Sequence, residues 1–112
     1  MGRRIGATRA LCFAVLVFLP PAVFAAEKQA RAERDLSNFV LQDCGSCHGM
    51  TLKGGLGPPL RPADLERLPT ETVAAIIREG VPGTAMPPWK ALLTPAEIDW
   101  VSRQLKSGAL LD

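Results

Sequence analysis

The chain has 112 residues, with 13 Lys and Arg against 11 Asp and Glu for a formal net charge of +2. That length allows one small domain. The near balance of charge, with no clustered Lys and Arg outside the first nine residues, leaves no basic stripe for nucleic acid, so that class of function is excluded.

The first element is a targeting segment. Arg3, Arg4 and Arg9 precede an apolar run of nine residues, "LCFAVLVFL" at 11–19, which Pro20 and Pro21 break. Val23 and Ala25 then stand at the −3 and −1 positions of a small-residue cleavage site, completing the layout of a secretory signal peptide. Nine apolar residues are too few to cross a bilayer, which takes roughly 20. The sequence therefore predicts a signal peptide over 1–25, cleaved after Ala25, and one exported domain over 26–112 with no membrane attachment. Cleavage removes three arginines and no acid, so the remaining 87 residues carry a net charge of −1. Cys12 leaves as well. Such a chain buries only a small core and needs help to hold together.

Leu36, Phe39 and Val40 share one face of a helix that leads into "DCGSCHGM" at 43–50. Here Cys44, Cys47 and the chain's only histidine, His48, lie within five residues. A structural zinc site wants four ligands, usually from two pairs of Cys or His, and the exported chain has no second cluster. A thioredoxin-like dithiol wants a βαβ context, whereas the flanks read as helical. A disulfide between the two would close too short a loop to act as a scaffold. The C-x-x-C-H spacing fits covalent haem attachment: one helical turn brings both thiols to the vinyl groups and sets the next residue, His48, against the iron. A large apolar disc also supplies the core that the chain lacks.

"GGLGPPL" at 54–60 is a turn-rich link from which a carbonyl can accept the Nδ1 proton of His48 and orient the ring. "PTETVAAIIREG" reads as a helix with Thr70 as N-cap, Val73, Ile76 and Ile77 inward, and Gly80 as its stop. Met86 follows in "GVPGTAMPPW", a Gly- and Pro-rich loop in which Pro87 biases Met86 away from helix. A thioether there is the candidate sixth iron ligand. The other reading is a Met that fills a core gap and leaves the iron open or water-bound. Met50 is two residues from His48, and two extended residues reach only about 7 Å, so it is assigned to local packing. The last helix has Thr94 as cap, Pro95 at its first position and Glu97 closing a capping box. Its inner face is Ile98, Val101 and Leu105. The predicted fold is all-α, about three to four helices around one covalently bound haem.

These features resemble the class I cytochromes c over nearly all of the exported chain. Cys44, Cys47 and His48 match the family's attachment motif, Gly57, Pro58 and Leu60 its G-P-x-L segment, and Met86–Pro87 its distal-ligand loop. The resemblance implies haem c bound by Cys44 and Cys47, axial iron ligands His48 and Met86, and the Pro58 carbonyl bonded to His48. It also implies that helices near 28–43 and 95–106 cross, although Leu36 stands where the family has Gly or Ala, and Gln104 where it has an aromatic. The runs "QDCGSCHGMTLKGGLGPPL" and "PGTAMPPWKALLT" are closer to small periplasmic cytochromes c associated with cytochrome cd₁ nitrite reductase in denitrifying bacteria. That resemblance implies a periplasmic, monomeric one-electron carrier that donates to the reductase. The competing roles are an accessory factor in haem d₁ maturation and a haem sensor or enzyme with an open iron. No acid/base cluster lies near the motif, so enzyme chemistry is not expected. Partner contact is expected on small, uncharged residues of the two haem-side loops, Gly45, Ser46, Thr84, Ala85 and Pro87, rimmed by Lys53 and Lys90.

Overall fold

The computed structural model describes residues 21–111, and these form helices and loops with no strand among them. Most of the segment expected to be a signal peptide, including its arginines and apolar run, lies outside the described residues. The first helix, α1 (Pro21–Phe39), starts inside it and runs through the Ala25–Ala26 bond. It is exposed over 21–30 and meets the core only at its far end, where Leu36 and Phe39 pack half-buried and Val40 is fully enclosed.

After Phe39 the helix widens into a π turn, Val40–Cys44, in which the N–H of Gly45 bonds back to the Val40 carbonyl, five residues away. It tightens again into α2 (Gly45–His48). The 28–43 helix of the sequence reading is thus an α segment followed by a π turn. Such turns are frequently found at functional sites, and this one runs straight into the cysteines.

The chain returns through loop 49–60 to α3 (Pro62–Leu65), one turn whose entry is braced by Arg61 and Asp64, Nε to Oδ2 2.7 Å. That bond holds the Asp64 carboxyl below its usual range. α4 (Thr70–Glu79) buries Val73, Ala74 and Ile77. Its N-cap is Pro69, not Thr70: the Pro69 carbonyl accepts the N–H groups of Thr72 and Val73 at 3.0 and 3.1 Å. Proline at 69 fixes an extended residue there (ψ 149°), so Thr70 is already helical and its side chain makes no cap bond.

Gly80 ends α4 at φ 67°. The 81–88 loop leads through a short 3₁₀ turn, Trp89–Ala91, to α5 (Pro95–Ser107). The α5 capping box forms as its sequence predicts. Thr94 Oγ1 accepts from the Glu97 N–H at 3.3 Å, and Glu97 Oε2 accepts from the Thr94 N–H at 2.7 Å. The Thr94 N–H foremost, and the Thr94 hydroxyl donating to Oε2 at 2.8 Å, hold the Glu97 carboxyl below its usual range. α5 packs against α4, α3 and the end of α1, burying Ile98, Val101 and Leu105. Ser102 is also buried there, its hydroxyl donating to the Ile98 carbonyl at 2.8 Å. Leu36 and Gln104 are both half-buried on their helices.

Candidate functional site

α2, α3, α4, α5 and the two long loops enclose a cavity of about 540 Å³ that opens to solvent on one side. The size and apolar lining are those of a small-molecule or cofactor site. Leu65, Leu68, Val73, Ile76, Ile77 and Leu105 make most of its wall. All four residues implied by the resemblance as thioether or iron partners line it: Cys44, Cys47, His48 and Met86. Met50 does not line it and is 55% exposed.

His48 is the most constrained side chain here. The loop after it folds back onto the end of α2, with Gly54 N–H donating to the His48 carbonyl and Gly57 N–H to the Cys47 carbonyl, both at 2.8 Å. Those bonds satisfy the last helical carbonyls, which have no intrahelical donor. They also bring the Pro58 carbonyl within 2.6 Å of His48 Nδ1. A carbonyl only accepts, so Nδ1 carries a proton and Nε2 is the ring nitrogen left to act as a ligand. Loop and ring approach so closely that a Cβ at Gly57 would lie 2.8 Å from His48 Cε1 and Nδ1. Gly57→Ala is therefore expected to cost about 1–3 kcal/mol of stability through overpacking. A denaturant melt with an unshifted midpoint would show that the ring is not held against this loop.

Met86 is half-buried on a loop with a tight neck. The Val81 N–H donates to the Met86 carbonyl at 3.1 Å, and the Met86 N–H bonds Thr84 Oγ1 at 3.3 Å. At Gly80 a Cβ would sit 2.6 Å from the Met86 oxygen and the Pro87 carbonyl carbon. Below the neck, Lys90 pairs with Glu79 at 2.6 Å. Trp89 meets Phe39 edge-on, ring centres 5.6 Å apart, tying this loop to α1.

Cys44 and Cys47 are both free thiols. Burial, with a smaller push from the Asp43 carboxylate, raises the Cys44 thiol to about 11. At neutral pH it is an uncharged thiol, so no charge is buried at the apolar wall. No group of three His, Cys, Asp or Glu side chains suited to holding a metal ion occurs among the described residues. A soft thioether and a neutral imidazole on one apolar cavity, with two thiols beside them, instead form a donor set that fits haem iron. Sequence reasoning missed α3, whose Asp64 and Leu65 line the cavity with Leu68 of the turn after it, because a four-residue helix carries no periodic signal.

Comparison with known proteins gives cytochromes throughout. Residues 31–103 match the family model described as cytochrome C oxidase, cbb3-type, subunit III. Cytochrome c55X of Pseudomonas aeruginosa is 41% identical over 110 residues, covering 96% of this chain and 92% of that protein. Cytochrome c55X of Paracoccus denitrificans is 41% identical over 91 residues, 81% of this chain and 88% of its own. Among solved structures, a c-type cytochrome NirC superposes with a TM-score of 0.70 at 44% identity, covering 72% of this chain and 95% of that one.

Proposed function

The chain belongs to the cytochrome c family and is an electron carrier rather than an enzyme, and from that premise we propose that its cavity holds one covalently attached haem c. Cys44 and Cys47 would hold it through thioether bonds, and His48 and Met86 would ligate its iron. After removal of residues 1–25 the protein works in the periplasm as a monomer, passing single electrons to cytochrome cd₁ nitrite reductase. The observation that carries this reading is the meeting of His48, Met86 and both thiols on one apolar cavity. The likeness to NirC supports the choice of partner.

When bound, the haem iron supplies a one-electron couple, with a potential raised by His/Met ligation. The residues of the chain do the rest. Pro58 fixes the His48 ring and its tautomer through the Nδ1–H bond, which strengthens Nε2 as a ligand. The neck at Gly80 holds Met86 in place, and leucine, valine and isoleucine side chains give the cavity its apolar lining. Electrons enter and leave at the open side. Exposed residues lining it are Leu56, Pro58, Val81, Thr84, Ala85 and Pro87, with two acids beside them, Asp43 and the Arg61-paired Asp64. Leu56 is 93% exposed and adds apolar surface at this rim that a partner can cover.

The expected contact face changes in two details. Gly45 is buried, with Met50 packed beside it, so Leu56 replaces it at the rim. Lys90 is paired with Glu79, which leaves its charge partly offset.

A largely uncharged face predicts weak salt dependence of electron transfer to the reductase. Ala85→Glu is expected to slow that transfer on the order of tenfold, because docking would bury the new carboxylate, while the optical spectrum stays unchanged. Stopped-flow mixing of the reduced protein with cytochrome cd₁ nitrite reductase measures both effects. Steep salt dependence or an indifferent Ala85→Glu would reject the apolar face. No transfer at all would point to the assembly role in haem d₁ maturation.

A further inference from the structure

One cation of this chain is set apart from the others. Lys106, half-buried near the end of α5, donates from Nζ to the Leu65 carbonyl at 2.9 Å and also to the Leu68 carbonyl. Among the described residues no carboxylate pairs with it within 4 Å. Glu66 borders the same shallow surface hollow without reaching the ammonium. The two carbonyls belong to the C-terminal end of α3 and the turn after it; the Leu65 carbonyl also accepts the Leu68 N–H at 3.1 Å, and a cation is favoured at a helix C-terminus.

The position of those carbonyls gives Lys106 a consequence beyond capping. Leu65 and Leu68 present their side chains to the cavity, so the ammonium is bonded to the backbone directly behind that wall. Leu105, the preceding residue of α5, lines the cavity too. A charge fixed by two hydrogen bonds cannot swing out into solvent as a free surface lysine does.

We propose that the Lys106 ammonium, fastened behind the α3 wall by the Leu65 and Leu68 carbonyls, is a fixed charge that raises the electron affinity of the cofactor in the cavity. The inference rests on the haem reading given above. Oxidation leaves one more positive charge at the redox centre, and a nearby fixed cation opposes it. At roughly 10 Å, a unit charge changes such an equilibrium by about threefold to tenfold for effective dielectrics of about 50 to 25, between bulk water and the protein surface. Lys106 does not line the cavity, so it acts through the wall as an electrostatic residue.

Two variants separate charge from hydrogen bonding. Lys106→Arg keeps the cation, whereas Lys106→Gln keeps an N–H donor and loses the charge. The measurement is an equilibrium redox titration of the purified haem protein, with the ferric thioether charge-transfer band followed as a check on Met86. Lys106→Arg should stay within twofold of wild type. Lys106→Gln should lower the equilibrium constant for taking up an electron about threefold to tenfold, with the band intact. The proposal is overturned if Lys106→Gln keeps the wild-type constant, if Lys106→Arg falls as far as Lys106→Gln, or if the Lys106→Gln shift comes with loss of the band. A wild-type chain that carries no haem would fail the underlying reading instead, and would do so before any potential is measured.

Discussion

Replacing both cysteines, Cys44→Ala with Cys47→Ala, is expected to leave almost no folded protein. The physical reason is the cavity. An unfilled void costs about 24 cal/mol per Å³, so 540 Å³ sets an upper figure of about 13 kcal/mol, reduced where the cavity opens to water. The net stability of a small domain is about 5–15 kcal/mol. A chain with that hole at its centre has little or nothing left. Leu65, Val73, Ile77 and Leu105 form part of the same core that holds α3, α4 and α5 together, so their collapse would take the whole packing with it. The check is the far-ultraviolet circular dichroism and yield of the exported double variant, set beside wild type produced with the same haem supply. A well-folded double variant would mean that the cavity does not depend on a bound group.

Met86→Ala carries the second large effect. The haem should remain attached, because the thioether bonds are untouched, but the iron should lose its distal ligand. Carbon monoxide and cyanide should then bind on the order of tenfold faster or more, and the reduction potential should fall as the thioether is lost. Met50→Ala should alter neither property, since Met50 is exposed and does not line the cavity. Wild type binding these ligands as fast as Met86→Ala would remove Met86 from the iron and favour a sensor or enzyme with an open site.

Legibility in the sequence followed the range of the interaction. The α5 start could be read from Thr94, Pro95 and Glu97 because the capping box spans four consecutive residues. Gly80 could be read as a helix stop for a similar local reason, and the structure adds that Met86 and Pro87 crowd it. The cluster Cys44, Cys47, His48 was visible because one helical turn sets its geometry. Thr70 misled because serine and threonine caps are common, while Pro69 had already fixed the extended backbone just before it. The π turn at Val40–Cys44 left no mark, since the apolar spacing of Leu36, Phe39 and Val40 ends where the turn begins. Lys106 was beyond reach altogether: its carbonyl partners lie 41 and 38 positions away, and only the packing of α3 on α5 joins them.

The cofactor and its attachment are the centre of the account, and an intact mass of the purified exported protein under denaturing conditions tests them most directly. The expected mass is that of residues 26–112 plus one haem, with the haem retained through acid–acetone extraction. A mass equal to the bare polypeptide, with haem absent or extracted, would contradict thioether attachment at Cys44 and Cys47.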